Sequence, residues 1–346
     1  MDMTILSAIS EPLLGWFEDH KRDLPWRRDR EPYHVWLSEI MLQQTRVEAV
    51  KAYYLRFLEA APTVEALAAL PEDRLMKLWE GLGYYNRARN LQKCAREIVR
   101  LGGFPRTKPE LLKLPGIGDY TAGAIASICF DEPAAAVDGN VLRVCARLQD
   151  DDRQVDTSAY KKELDAALTA VYPEGRCGDF TQSLMELGAT VCVPNGAPRC
   201  ADCPLRALCL ARERGTALKL PVKQPKRERK QEHRTVFLLR CGDRIAVEKR
   251  PPSGLLAGLW QLPNTDGLLD ERAVGLWATA QGLGEIELRT ARDGRHIFTH
   301  ITWEMRCYTL TCERAAKQFT WVTPEELRGT VSLPTAFRQF LDLDVL

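Results

Sequence analysis

Four cysteines within 18 residues constrain this chain more than any other feature: Cys192, Cys200, Cys203 and Cys209. Their spacing is C-x7-C-x2-C-x5-C, and Pro194, Asn195, Gly196, Pro198 and Pro204 lie between them. This predicts tight loops that wrap four thiolates around one centre. Four thiolates suit either Zn²⁺ or an iron–sulfur cluster, and the spacing does not separate the two. The other seven of the 11 cysteines (94, 129, 145, 177, 241, 307 and 312) are scattered. Several fall on apolar helical faces, where cysteine packs as a small hydrophobe. The total is odd and Met1 to Glu11 lacks a signal-peptide pattern, so a metal site is expected rather than a disulfide framework.

At about 150 residues per domain, 346 residues predict two domains. Residues 1–217 read as helical. Thr63–Leu70, Pro71–Gly81, Arg87–Leu101, Glu110–Leu114 and Ser158–Val171 place apolar residues three and four apart, punctuated by Pro and Gly. Residues 218–234 hold seven Lys/Arg, two Glu and two Pro, and read as a basic linker. From 235 to 346 the period changes. Thr235–Leu239 and Arg244–Glu248 read as a hairpin around Cys241-Gly242-Asp243, and His296–Thr311 reads as strand. Helical pattern returns at Pro324–Arg328 and Thr335–Leu341, so the second domain is expected to be α+β.

Charge narrows the partners. The whole chain carries 48 basic and 47 acidic side chains, which excludes a polybasic tail protein and an acidic disordered chain. Residues 1–217 have 28 basic and 31 acidic groups and residues 235–346 have 13 and 14; only the linker is basic, at +5. Nucleic-acid binding therefore has to come from local geometry rather than bulk charge. No apolar run reaches the roughly 18 residues that span a bilayer, so a soluble, untargeted protein with no membrane partner is expected.

Leu114-Pro115-Gly116-Ile117-Gly118-Asp119 is a glycine-rich turn between a short helix and the run Thr121–Ile128. The next helix would start there with unpaired amides, a phosphate cradle that needs no basic side chain; an ordinary helix–turn–helix corner reads the same way. Asp138-Gly139-Asn140 precedes the helical run Val141–Leu148, where Asp138 reads first as an N-cap. Glu39 lies in the helical run Tyr33–Arg46 with Trp36, Ile40, Met41 and Gln43 around it. A carboxyl in such company should hold its proton and suits a general acid, where a glutamate on an amphipathic helix ordinarily faces solvent.

Hairpin, following aspartate and downstream four-cysteine cluster, in that order, resemble the helix-hairpin-helix DNA glycosylase superfamily, whose cluster is [4Fe–4S]. Trp36–Thr45 (WLSEIMLQQT), Gly81–Tyr85 (GLGYY) and Val137–Val141 (VDGNV) look like the MutY family of adenine DNA glycosylases. Gly254–Trp260 and Phe298-Thr299-His300 resemble that family's C-terminal Nudix-like domain, which recognises 8-oxoguanine opposite adenine. The resemblance implies a helical glycosylase domain carrying a [4Fe–4S] loop, followed by an α+β Nudix-like domain. It implies removal of adenine mispaired with 8-oxoguanine or guanine in duplex DNA, leaving an abasic site. Glu39 would protonate adenine at N7 and Asp138 would stabilise the oxocarbenium-like sugar. Tyr120 and Asn140 would position that carboxylate or the water. Trp26, Arg27, Leu42 and Glu186 would line the adenine pocket, and Gln43, Gln44 and Tyr84 would wedge into the vacated stack. Gly116 and Gly118 would hold the DNA backbone, and Phe298, Thr299 and His300 would read 8-oxoguanine. Cys192, Cys200, Cys203 and Cys209 would ligate the cluster. A monomer is implied, in the cytoplasm with the nucleoid, as in bacteria.

Two departures stand out. The first cysteine loop has seven residues where the family usually has six, and Thr299 replaces the usual serine while keeping the hydroxyl. Rival readings are weaker. An endonuclease III-like lyase needs a lysine where this chain has Tyr120, and without that amine no Schiff base forms. A glycosylase for thymine or uracil opposite guanine does not account for the second domain. A non-catalytic DNA-binding protein leaves Glu39 and Asp138 unexplained. A nucleotide pyrophosphohydrolase needs a Glu-rich metal helix, REUxEExGU, which Gly267–Gly284 lacks.

Overall fold

The computed structural model describes residues 1–225 and 228–341. Its helices include α1 (Pro32–Leu42), α2 (Glu72–Trp79), α3 (Asp119–Phe130), α4 (Gly139–Gln149), α5 (Cys177–Thr190), α6 (Glu271–Ala280) and α7 (Pro324–Gly329). The strands are β1 (Lys230–Cys241), β2 (Arg244–Lys249), β3 (Trp260–Gln261), β4 (Asn264–Asp266), β5 (Ile286–Ile297), β6 (Ile301–Cys312) and β7 (Thr320–Val322). None of the described helices is long and apolar enough to cross a membrane.

The chain divides into two compact units. The first joins Met1–Ala69 to Arg89–Pro225. It is helical, and its interior is set by small residues where helices meet. α3 reads DYTAGAIASICF and buries every residue from Thr121 to Ile128. A Cβ on Gly123 would lie 2.0 Å from the Ala135 carbonyl oxygen. On α5, a Cβ at Gly178 would sit 2.9 Å from Cα of Ile128, and one at Gly188 2.5 Å from Cβ of Asn140. Backbones at this separation leave no room for a methyl group. α3 ends where Asp131 turns left-handed (φ 54°), and its carboxylate accepts the Cys177 N–H at 2.7 Å, which ties the end of α3 to the start of α5.

The second unit contains a seven-stranded sheet of order β3-β2-β1-β6-β5, with β4 on β1 and β7 on β2. β1 and β6 run parallel, Lys230 opposite Ile301 through Arg240 opposite Thr311. Alternation along β1 sends Val236 and Leu238 into one core and Phe237 and Leu239 into another. On the second face Trp277 of α6 stacks on Phe237 at 3.6 Å between ring centroids. On the first, Leu327 of α7 packs with Trp303 and Phe337. Helices on both faces of the sheet give the α+β domain expected from the change of period.

Two boundaries differ from those read in the sequence. Leu70–Ala88, read as part of the helical first domain, groups with the second unit. Its periodicity identified helix but carried no information about which surface that helix covers. The expected linker 218–234 is also shorter as free chain. Lys230–Arg234 already belongs to β1, opposite Ile301–Met305, and the Val222 carbonyl accepts the Val155 N–H at 3.1 Å. Backbone pairing does not require an apolar side chain, so a charged run can be strand. Lys226 and Arg227 lie outside the described residues.

The close crossing at Gly123 gives a stability prediction. Gly123→Ala should lower unfolding free energy by about 1–3 kcal/mol, since the obstacle is backbone and cannot rotate away. Urea unfolding would show a lower midpoint at unchanged slope; an unchanged midpoint would refute the packing account.

Candidate active site

α1 starts with Pro32 at its first turn and buries Tyr33 and Val35 through Met41, so Glu39 is carried into the interior by a helix that is apolar on nearly every side. Glu39 is only 6% exposed. Its carboxylate accepts a short hydrogen bond from the Tyr120 hydroxyl, which projects from the first turn of α3. Burial pushes the Glu39 carboxyl up to about 7. The Tyr120 bond works against that shift, the nearby Asp138 charge adds to it, and Arg27 opposes it. Burial likewise raises the Tyr120 phenol well above its ordinary range, with the neighbouring carboxyls adding to the effect.

Asp138 is the N-cap of α4 and faces the same cavity as Glu39. One carboxylate oxygen accepts the Asn140 and Val141 N–H groups, each at 2.8 Å, and the other accepts the Asn140 side-chain amide at 2.7 Å. The carboxylate that caps α4 thus also faces the cavity. Burial raises its pKa, and the three hydrogen bonds pull against that shift by favouring the charged form. Asn140 is held in turn by Arg143, whose guanidinium donates to Asn140 Oδ1 at 2.8 Å, to the Gly188 carbonyl at 2.7 Å, to the Cys192 carbonyl at 2.7 Å and to the Gly139 carbonyl at 3.2 Å.

These groups open into a cavity of about 560 Å³. The residues expected at an adenine pocket, Trp26, Arg27, Leu42 and Glu186, are all in its wall, as are Gln43 and Gln44. Gln44 has a left-handed backbone (φ 58°) just beyond the end of α1. Glu186 is fully buried and saturated: its oxygens accept from Arg22 backbone N, Nε and Nη2 (3.2, 2.6 and 2.9 Å) and from Arg27 Nη2 at 2.8 Å. Burial acts to raise its pKa, but the Arg22 and Arg27 hydrogen bonds and charges outweigh it and hold the carboxyl below the usual range. Arg22 and Arg143 were not singled out from the sequence. Each works by pairing with a residue far along the chain, and spacing carries no trace of that.

Gly116 and Gly118 stand at the turn into α3. Gly116 is left-handed (φ 79°), and a Cβ there would lie 2.7 Å from Cβ of Asn90, so the turn requires glycine. Gly118 caps α3 without any side-chain acceptor, leaving the first-turn amides available.

The four thiols of the loop line one further cavity, with Arg147 beside them. Arg147 donates to Cys192 Sγ at 3.3 Å, and Cys209 Sγ donates to the Arg147 carbonyl at 3.4 Å. Among the described residues no three His, Cys, Asp or Glu side chains close on a single point as ligands of one ion would. Four soft donors lining one cavity beside a compensating guanidinium still fit a thiolate-bound metal centre.

The other expected DNA-reading residues lie in the second unit. Phe298 closes the tight turn between β5 and β6, its N–H donating to the Ile301 carbonyl at 2.8 Å, and its ring meets Trp303 edge-on at 4.9 Å. His296–Thr311 is therefore two strands with a turn at 298–300, not one. Thr299 donates to the Tyr84 hydroxyl at 3.3 Å, so the expected wedge and the expected recognition loop touch within this unit.

Comparison with known proteins finds a family match in each half of the chain. Residues 37–170 match the family model for the HhH-GPD superfamily base excision DNA repair protein, and residues 235–343 match a NUDIX domain. The chain is similar to the adenine DNA glycosylase of Rattus norvegicus, 36% identical across 98% of this chain and 78% of the relative. It is 36% identical to that of Homo sapiens across 98% of this chain and 74% of the relative. That of Buchnera aphidicola subsp. Baizongia pistaciae is 31% identical, covering 84% of this chain and 83% of the relative. Among solved structures, a thermostable thymine-DNA glycosylase superposes with a TM-score of 0.53 at 30% identity, over 61% of this chain and 98% of its own. A non-covalent endonuclease III–DNA complex gives 0.50 at 28% identity, over 59% and 94%.

The Glu39–Tyr120 hydrogen bond predicts a titration. Carbon NMR of the Glu39 carboxyl should show a midpoint near pH 7, where burial has placed it. Because the Tyr120 bond favours the charged form, Tyr120→Phe should move that midpoint upward. A downward shift would contradict the assignment.

Proposed function

Since the chain belongs to the adenine DNA glycosylases, in the helix-hairpin-helix superfamily of base excision repair proteins, we propose that it excises adenine from duplex DNA by acid-assisted hydrolysis between Glu39 and Asp138. The observation that carries this reading is the pairing of a carboxyl that keeps its proton near neutrality with a second, amide-bound carboxyl in one cavity. Adenine cannot be reached inside the stack, so it is extruded into the cavity. Gln43 and Gln44 at the rim, and Tyr84, fill the space it leaves. Glu39 donates its proton to adenine N7, which makes the base a neutral leaving group. The C1′–N9 bond breaks, and positive charge on the sugar is met by the Asp138 carboxylate, as in sugar hydrolysis. Water adds at C1′ and its proton leaves to Asp138 or solvent. Asn140 and Tyr120 hold the two carboxyls in place.

Trp26 and Leu42 supply apolar walls for the extruded base, while Glu186 holds Arg22 and Arg27 at the pocket edge. With Tyr120 in the lyase position there is no amine to attack the sugar, so the product is an intact abasic strand. Gly116 and Gly118 present the α3 amides to a backbone phosphate. Cys192, Cys200, Cys203 and Cys209 would hold a [4Fe–4S] cluster, which when bound supplies a rigid, four-thiolate anchor for the loop 192–209. Phe298, Thr299 and His300 read 8-oxoguanine opposite the adenine, with guanine as the weaker alternative. The protein acts as a monomer with duplex DNA as its partner, in a bacterial-type cytoplasm with the nucleoid.

Three measurements test this. Labelled duplexes carrying adenine opposite 8-oxoguanine, guanine, cytosine or thymine should break only after alkali, and only for the first two. Cleavage without alkali would mean a lyase. Glu39→Gln should slow single-turnover excision by about 10²–10⁴-fold while DNA binding persists, and the wild-type rate should fall as pH rises through about 7. Retained turnover in Glu39→Gln would sink the mechanism. Purified protein should show thiolate-to-iron charge-transfer absorbance and four irons per chain; one zinc instead would overturn the cluster.

A further inference from the structure

We propose that Lys77 and Glu80 are positioning residues for discrimination of the base opposite adenine: they clamp the turn that carries Tyr84 onto the C-terminal segment of the second unit. The proposal rests on the proposed recognition of 8-oxoguanine by Thr299 and its neighbours.

The Lys77 ammonium has three N–H groups, and each has an acceptor. It donates to the Leu327 carbonyl at 3.1 Å and the Val331 carbonyl at 3.0 Å, and it pairs with Glu80 at 2.8 Å. Glu80 accepts the Leu333 N–H at 2.8 Å, and the Ser332 hydroxyl donates to the Met76 carbonyl at 3.1 Å. The Lys77 and Glu80 side chains are 20% and 12% exposed. Partly buried ionic hydrogen bonds of this kind hold position better than surface pairs, which solvent loosens. α2 and the segment 327–333 are thus joined by a polar network with the Lys77 amine at its centre.

The clamp sits one turn before the expected wedge. Gly81 and Gly83 (φ 99° and 69°) turn the chain sharply after Glu80, and Tyr84 itself is left-handed (φ 47°). The Trp79 indole donates to the Gly83 carbonyl at 3.1 Å, while the Arg87 guanidinium lies 5.3 Å from the Trp79 ring and 5.6 Å from the Tyr84 ring. Tyr84 is therefore fixed from beneath, half exposed, with its hydroxyl on Thr299. A residue that must pair a backbone strained in this way with a specific partner needs its scaffold anchored. Lys77 and Glu80 provide the anchor, so the Tyr84–Thr299 contact is kept in register without either clamp residue touching DNA.

The test compares full-length wild type, Lys77→Met, Lys77→Arg and Glu80→Gln on duplexes with adenine opposite 8-oxoguanine or guanine. Single-turnover rate and Kd are read for each, with thermal melts to confirm folding. In wild type, preference for the 8-oxoguanine duplex establishes the recognition reading; its absence ends that reading, and the clamp proposal with it. Given the preference, Lys77→Met should slow excision opposite 8-oxoguanine by about tenfold and weaken that complex, while excision opposite guanine changes by less than about twofold. Lys77→Arg should restore most of the preference. Glu80→Gln, which keeps an acceptor for Leu333 and loses only the ion pair, should show a smaller loss and serves if Lys77→Met does not fold. Equal slowing on both duplexes would assign the clamp to stability alone and overturn the proposal, as would an undiminished preference in folded variants.

Discussion

A single buried guanidinium, that of Arg143, fixes the geometry on which the candidate site depends. It is 5% exposed and donates to four acceptors spread over α4, α5 and the start of the cysteine loop. Leaving any of those donors unpaired in the interior would cost several times a surface hydrogen bond. The three segments therefore have to meet in one arrangement or not at all. Asn140, bound to this guanidinium, also donates to Asp138, so Asp138 and the thiol loop share one structural anchor. The glycine at 188 lets α5 come close enough for the arrangement to close.

Within that frame, two glutamates in one cavity carry opposite protonation states because their neighbours differ. Glu39 meets a helix of apolar side chains and one phenol, and keeps its proton to about pH 7. Holding it there reflects about 3 kcal/mol of differential interaction between its two states. Glu186 is buried as deeply, yet two arginines supply four hydrogen bonds and it stays ionised. Burial by itself does not decide which carboxyl keeps its proton; the positive charges that hydrogen-bond Glu186 outweigh it, and the single phenol on Glu39 does not. This difference leaves a protonated and an ionised carboxyl in one cavity near neutrality, as the proposed mechanism requires.

Much of this was legible in the sequence, and the pattern of what was not is physical. Glu39 could be picked out because a glutamate flanked by Trp36, Ile40 and Met41 on a helix has few ways to reach water. Asp138 ahead of Gly139 and Asn140 is a cap by residue type, and the spacing of the four cysteines brings them to one cavity. Arg22 and Arg143 escaped notice because Glu186, Gly188 and Cys192, which they bind, lie on distant segments of the chain. β5 escaped because it is exposed along nearly its whole length, and its apolar alternation, Ile286 and Leu288 between charges, stops after four residues. The assignment of Leu70–Ala88 to the second unit escaped because helical period fixes an element's type and leaves its neighbours open.

The dual use of Asp138 has an evolutionary consequence. Its carboxylate closes the first turn of α4 through two backbone amides while facing the cavity. A helix cap contributes about 1 kcal/mol, a sizeable fraction of the margin by which a domain stays folded. Under the proposed mechanism, drift at this codon is therefore penalised twice, once by loss of turnover and once by loss of folded protein. Asparagine keeps the shape and the cap while discarding the charge, so it is the substitution through which an inactive yet well-folded descendant of this lineage would most readily arise.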